Sequence, residues 1–257
     1  MTRGGAALRD EARTPYRRSG LRRWLDALLP AHCHGCGVPV APDNDACVCI
    51  NCRLRLERPP APRCSRCDHP AHFAVGECPG CEILPEVLET VRSAVVLRPP
   101  ADALVHAFKY GGWRSLAPFL AARMRPLLPG DARALVPVAS PRKRERERGF
   151  NPPQLIAEVL AGTTGIPLVH ALRRPRESRR QVGLSPEERK ANVRDAFVPA
   201  VDHLDGPDHH VLIDDVFTTG ATSTAAAAAL QAAGAERVSV LTFARALPSL
   251  FPGDDAS

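Results

Sequence analysis

Eight of the nine cysteines stand as four Cys-x-x-Cys pairs, all between Cys33 and Cys81. The first set is Cys33 and Cys36 with Cys49 and Cys52. The second is Cys64 and Cys67 with Cys78 and Cys81. A Cys-x-x-Cys turn brings two thiolates to one point, and two such turns complete a tetrahedron around Zn²⁺. Crowded cysteines in a chain whose first residues lack the apolar core of a secretion signal read as metal ligands rather than disulfides. Four ligands leave no open position, so each set is structural and not hydrolytic. Cys47 is the odd thiol and an irregularly spaced substitute for Cys49. His32, His34, His69 and His72 are alternative ligands, against a plainer reading as exposed loop histidines. Thioredoxin-like chemistry does not suit these pairs, because none lies between a strand and a helix of a βαβ unit.

The pattern divides the chain into three. Residues 1–30 read as a disordered Arg-rich tail. A short amphipathic helix ends that tail on Leu21, Trp24, Leu25 and Leu28, closed by Pro30. Residues 31–84 are rich in Cys, Pro and His, lack apolar periodicity, and need a metal to order them. Residues 85–257 carry the core. Strands are expected at Val91–Leu97, Ala134–Val138, Ile166–Val169, Ala196–Val201, Val211–Asp215 and Val238–Phe243. Helices are expected at Ala101–Tyr110, Leu116–Leu128, Pro152–Ala161, Ser185–Val193 and Ala221–Ala233, with a long basic loop before Pro152. Alternating strands and helices predict an α/β domain with a parallel sheet. No run of 18 apolar residues is present, which predicts no membrane insertion and a cytoplasmic protein.

The segment Val211 to Thr222 carries the most chemistry. An apolar strand ends in Asp214 and Asp215, followed by Val216, Phe217, Thr218, Thr219, Gly220, Ala221 and Thr222 and an Ala-rich helix. Backbone N–H groups of such a loop, with a helix N-terminus behind them, cradle phosphate. The threonines add hydroxyl donors, and Gly220 lets the backbone approach the anion. Two carboxylates repel phosphate and suit the hydroxyls of a phosphorylated sugar. The loop is neither a Walker A motif nor a GxGxxG fingerprint.

Asp214-Asp215-Val216-Phe217-Thr218-Thr219-Gly220-Ala221-Thr222 resembles the phosphoribosyl pyrophosphate (PRPP) loop of type I phosphoribosyltransferases. Within that superfamily the chain resembles the ComF family, competence-type proteins linked to DNA uptake. The likeness extends to Cys33-His34-Gly35-Cys36-Gly37, Phe108-Lys109-Tyr110-Gly111-Gly112, Val136-Pro137-Val138 and Arg146-Glu147-Arg148-Gly149-Phe150-Asn151. Gln181 to Leu184, Arg189 to Asn192 and Ala196-Phe197 fit as well, so it covers about residues 24–245.

The resemblance implies a type I phosphoribosyltransferase-like parallel sheet flanked by helices, behind a small zinc-ribbon-like Cys₄ module. It implies that Asp214 and Asp215 bind ribose hydroxyls, that Thr218 to Thr222 bind the 5′-phosphate, and that Ala139 and Ser140 face pyrophosphate. Many family members carry a second proline where this chain has Ala139. Arg142, Lys143, Arg144, Arg146, Arg148, Gly149, Phe150 and Asn151 correspond to a flexible loop that closes over the reaction centre. Asp214, Asp215 and Arg148 would then be catalytic, with Mg²⁺ accompanying PRPP.

The formal charge is +6, concentrated at residues 1–24, 142–148 and 173–194. Such clusters suit an anionic partner: PRPP, or single-stranded DNA held electrostatically, since aromatics are only 5%. Three readings stand: a transferase with an undefined acceptor, a single-stranded-DNA-binding uptake protein working with a helicase-like partner, and a PRPP sensor.

Overall fold

A computed structural model describes residues 31–41, 46–70, 78, 80–82, 84–175, 196–204, 206 and 208–247. The tail and helix assigned to 1–30, the helix assigned to 185–193, the Gln181–Leu184 and Arg189–Asn192 motifs and His72 lie outside the described residues.

Four segments form one parallel sheet: β1 (Leu88–Val96), β2 (Ala132–Pro137), β5 (His209–Phe217) and β6 (Arg237–Arg245). Their order is β1-β6-β5-β2. β5 and β6 read as near-continuous apolar runs because both faces are covered. Helices α2 (Ala101–Tyr110), α3 (Ala117–Met124) and α5 (Pro152–Thr164) bury Leu104, Phe108, Leu120, Met124, Ile156 and Leu160 against Leu135, Val211, Ile213, Leu241 and Phe243. On the other face, α6 (Ala221–Ala232) packs its alanines against Val136, Leu212, Val238 and Val240. A two-residue antiparallel pair, β3 (Leu172–Arg173) with β4 (Val198–Pro199), lies on that side too.

The sequence expectations differ from the structure at four places. The long basic loop is largely a helix, α4 (Arg142–Arg148). Arg, Lys and Glu are strong helix formers, Lys143 pairs with Glu147 one turn on, and Gly149 closes the helix in the left-handed conformation at φ +74°. The helix expected over 116–128 is α3 flanked by two 3₁₀ turns, with Pro118 in its first turn and Pro126 in the second 3₁₀ turn. The strand expected at 166–169 is a single parallel bridge, Leu135 with Leu168. That expected at 196–201 shrinks to Val198–Pro199, since Pro199 cannot donate to a ladder.

The Cys-rich segment does not stand apart. It carries one short helix, α1 (Ile50–Leu54). Cys33, Val48, Cys52 and Leu56 share a core with Ala101 and Leu104, and Cys67 shares one with Leu88 and Val91. It also covers the free edge of β1. Val91 N–H donates to the Arg66 carbonyl (2.8 Å), Ser93 N–H to Asp68 Oδ2 (3.3 Å) and Val96 N–H to the Glu57 carbonyl (2.8 Å). An edge that would otherwise invite another strand is thereby satisfied.

Candidate functional site

The helix following β2 lies on one face of the sheet and the helix following β5 on the other. In such sheets a crevice opens beyond the carboxyl ends of the two strands where that switch occurs. A cleft of about 520 Å³ lies there. It gathers Asp214, Asp215, Val216, Thr218 and Thr222 from the β5–α6 segment, Ala139 and Ser140 after β2, Arg144 and Arg148 from α4, and Lys109 and Tyr110 from α2. Of the residues marked in the sequence, these line the cleft, whereas Phe217, Thr219, Gly220 and Ala221 do not.

Both carboxylates are buried. Burial, and the negative charge of Asp215 alongside, push the Asp214 carboxyl up to about 8. The Asp215 N–H donates to Asp214 Oδ1 at 2.8 Å, and Lys109 Nζ lies 2.8 Å from Asp215 Oδ1. Lys109 pairs directly with Asp215, and Arg174 faces Asp214 across the cleft without a hydrogen bond to it, so the buried pair keeps room for further donors. That is a setting for hydroxyl donors or a hard cation.

Beyond the pair, Phe217 turns away into the core and is not part of the cleft. Thr218, Thr219, Ala221 and Thr222 are exposed. Gly220 takes φ +81° at the N-cap of α6, a conformation that disfavours any side chain, and having none it offers no cap. The Ala221 N–H donates to the Thr219 hydroxyl at 3.4 Å, and the N–H groups that follow it at the start of this twelve-residue helix have no cap from the N-cap residue.

The turn after β2 is held from behind. Asn151 Nδ2 donates to the Val138 carbonyl at 3.1 Å, and the Ser140 hydroxyl donates to Asn151 Oδ1 at 2.7 Å. Asn151 is buried and braces this turn. Phe150 is likewise anchored, 5.7 Å from the Phe108 ring centroid and beneath the Arg114 guanidinium at 4.9 Å.

Helical spacing splits the basic run. Arg144 and Arg148, one turn apart, face the cleft, with Arg148 stacked over Tyr110 at 4.7 Å. Arg142 faces an adjoining groove of about 210 Å³ with His170, Arg173, Asn151 and Glu145, which shares Ala139, Ser140 and Arg174 with the cleft, and Arg146 lies beside it with Gly149. Lys143 points to solvent with Glu147. Arg174 reaches both cleft and groove. Its Nε donates to the Ala139 carbonyl at 2.8 Å and its guanidinium lies 4.2 Å from the Phe197 centroid. The sequence marked Arg174 only as one charge in a cluster. The signal that singles it out is Phe197, which stacks on it from across the 176–195 segment.

The four sulfurs of Cys33, Cys36, Cys49 and Cys52 lie within 4.8 Å of one another, as do those of Cys64, Cys67, Cys78 and Cys81. Neighbouring sulfurs are 3.7 Å (Cys36–Cys49), 3.5 Å (Cys64–Cys81) and 3.4 Å (Cys67–Cys78) apart. A tetrahedral zinc with Zn–S of about 2.3 Å needs a spacing of about 3.8 Å. Both groups fit a structural zinc. Cys47 stays outside the first group and Cys49 inside it. Burial raises the Cys33 thiol, but N–H groups of Cys49, Gly35 and Cys36 more than offset this and hold it at about 6. The same balance, through Cys67 and Arg66 N–H groups, lowers Cys64 to about 7. Burial and the neighbouring sulfurs push Cys52 and Cys67 the other way, upward, so each group mixes one lowered thiol with raised ones. Among the described residues no further cluster of His, Cys, Asp or Glu has metal-holding geometry, and His32, His34 and His69 belong to neither group. His34 instead packs on Trp113 at 4.4 Å.

Fold and site together define an α/β protein with an acidic-pair cleft at the carboxyl ends of a parallel sheet and a segment carrying two Cys₄ groups along the β1 edge. No family model matches the chain. It is similar to DNA utilization protein YhgH of Salmonella typhi, 31% identical over 233 residues, which are 85% of this chain and 99% of that protein. It is similar to Competence protein F of Haemophilus influenzae, 28% identical over 232 residues, 84% and 96% of the two chains. Competence protein ComFC of Bacillus subtilis is 26% identical over 212 residues, 78% and 85%. The chain belongs to the ComF family. Among its described residues no helix is long and apolar enough to cross a membrane.

Proposed function

We propose that the cleft binds PRPP with Mg²⁺ and that the chain serves DNA uptake, as the names of its relatives suggest. One observation carries the PRPP reading: two buried carboxylates at the end of β5 run directly into exposed hydroxyls and a helix N-terminus, opposite a braced turn and the basic side chains of Lys109, Arg144, Arg148 and Arg174. Asp214 and Asp215 accept hydrogen bonds from ribose hydroxyls. Thr218, Thr222 and the α6 N–H groups hold the 5′-phosphate. Ala139 and Ser140 face the pyrophosphate, and Arg144, Arg148 and Lys109 stabilise its charge. Mg²⁺, when bound, supplies further charge neutralisation at the pyrophosphate. In a transfer, the bond from the anomeric carbon to pyrophosphate breaks with its electron pair going to pyrophosphate. The acceptor's lone pair forms the new bond to that carbon. On this reading residues 31–84 are a zinc module and residues 85–257 the PRPP-binding domain.

A ligand present at a hundredfold excess over its dissociation constant stabilises the folded state by about 2.7 kcal/mol. Thermal shift with PRPP and Mg²⁺ therefore tests the reading. The wild type should rise by several degrees and Asp214→Asn/Asp215→Asn should not move. Equal shifts in both proteins would refute it.

The split of α4 favours a second ligand beside the first. Arg142, Arg146 and Arg173 lie away from the cleft, on a basic groove suited to a phosphodiester backbone. Single-stranded DNA on this groove, handed on by a helicase-like partner, would let one chain hold PRPP and DNA together. Binding that falls steeply with salt, and persists when PRPP saturates the cleft, is the expected result. Complete displacement of DNA by PRPP contradicts it.

A further inference from the structure

Arg245, the last residue of β6, is buried to 3% exposure, an unusual place for a guanidinium. Two things touch it. Its Nη1 donates to the carbonyl of Cys67, and its guanidinium lies 4.9 Å from the centroid of Phe217. Cys67 belongs to the second Cys₄ group, and Phe217 is the residue immediately before Thr218 of the hydroxyl loop. The backbones follow the same line: Phe217 pairs with Arg245 in the sheet, and Ala246 N–H donates to the Phe217 carbonyl at 2.9 Å.

The surroundings say why an arginine sits there. Four sulfurs would hold one Zn²⁺ beside it, and the Asp68 carboxylate, also buried, lies next to them. Arg63 covers Asp68 from the outside at 3.0 Å. Arg245 faces Cys67, Cys78 and Asp68 from the inside. A buried cation is tolerated where it is paired with buried negative charge.

We infer that Arg245 is a positioning residue that couples metal occupancy of the second Cys₄ group to the order of the hydroxyl loop at residues 217–222. With the metal in place the Cys67 turn is fixed, its carbonyl holds the Arg245 guanidinium, and the flat face of that guanidinium fixes the Phe217 ring, which sets the start of the loop. When the metal leaves, the Cys67 turn loses what fixes it. Arg245 then loses the carbonyl that holds it in place, and Phe217 loses its support. The first Cys₄ group packs behind α2 instead, where the Cβ of Pro100 approaches Gly35, and it makes no such contact with the loop among the described residues. The inference rests on zinc filling the second group, and on PRPP binding not at all.

Zinc content and hydrogen exchange test it on the full chain. Zinc is counted in the purified wild type, in Cys36→Ser, which breaks the first group, and in Cys78→Ser, which breaks the second. Amide exchange is then followed at Thr224 and Ala246, whose N–H groups bond to the loop carbonyls of Gly220 and Phe217, with the amides of 134–136 reporting that the sheet is folded. Loss of the second zinc should speed exchange at Thr224 and Ala246 at least tenfold while 134–136 stay protected, and loss of the first should leave both unchanged. Arg245→Met should show the fast loop with both zincs present and should release one zinc to a chelator at least tenfold faster. Arg245→Lys, which keeps the charge without the flat face, should hold the zinc and still loosen the loop. A wild type without zinc overturns the metal reading and the coupling with it. A zinc-loaded protein whose loop exchange ignores both Cys78→Ser and Arg245→Met overturns the coupling alone. Should Cys78→Ser unfold the sheet, the two Arg245 variants decide the matter by themselves.

Discussion

Replacing Asp214 with Asn should make the ligand-free protein more stable and at the same time unable to bind its ligand. The native state holds this carboxyl near 8, against an ordinary value of 3.8, through burial and the adjacent Asp215. A group whose folded value is raised binds its proton more tightly in the native state, so the native state loses ground as pH rises above the unfolded value. Each pH unit of displacement is worth about 1.4 kcal/mol. Lys109, 2.8 Å from Asp215, offsets part of this. A gain of roughly 1–3 kcal/mol for Asp214→Asn at pH 8.5 is therefore expected. The gain should shrink towards pH 6, where wild-type Asp214 is protonated and resembles the amide. Urea unfolding at the two pH values measures it, and PRPP affinity on the same variant should fall at least tenfold, about 1.4 kcal/mol. An Asn variant less stable than wild type at pH 8.5, or a gain independent of pH, would refute the argument.

Further outcomes follow from the same geometry. Arg144→Ala/Arg148→Ala should weaken PRPP binding and spare single-stranded DNA. Arg142→Ala/Arg146→Ala should do the reverse and flatten the salt slope for DNA by about 1.4, at ~0.7 per phosphate contact, as titrations at several salt concentrations will show. Metal analysis should find two zincs per chain, one for each Cys₄ group. Chelation should lower the melting temperature of the whole sheet, since three β1 N–H groups bond to the Cys-rich segment. Asn151→Ala should cost about 1–3 kcal/mol in urea unfolding, because two hydrogen bonds bracing the turn at 138–140 are lost.

Much of this was legible before the structure. Cys-x-x-Cys spacing identified all eight clustered thiols, because a two-residue gap is itself the geometry of a ligand turn. The strand–Asp-Asp–Thr-Gly–helix order located the cleft, since local sequence order coincides there with spatial order. α2 kept its expected bounds of Ala101–Tyr110, because its apolar spacing is helical and Gly111-Gly112 ends it. Legibility failed where the deciding partner is distant in sequence. Lys109 reaches Asp215 across more than a hundred residues, and Arg245 reaches Cys67 likewise. It failed differently at 142–148, where alternating charge without an apolar stripe reads as solvated loop. The helix there shows only in how its spacing sends Arg144 and Arg148 one way and Arg142 another. Asn151 was read as part of a moving flap because the motif ends on it, while its side chain is turned inward to hold Ser140.

The claim that the cleft is built for a phosphorylated ribose is tested most directly by calorimetric titration of the wild-type chain with PRPP, with and without Mg²⁺. The account predicts one site per chain, tighter with Mg²⁺, and no site in Asp214→Asn/Asp215→Asn. Heat indistinguishable from dilution in the folded, zinc-loaded wild type, or an unchanged isotherm in the double variant, would contradict it.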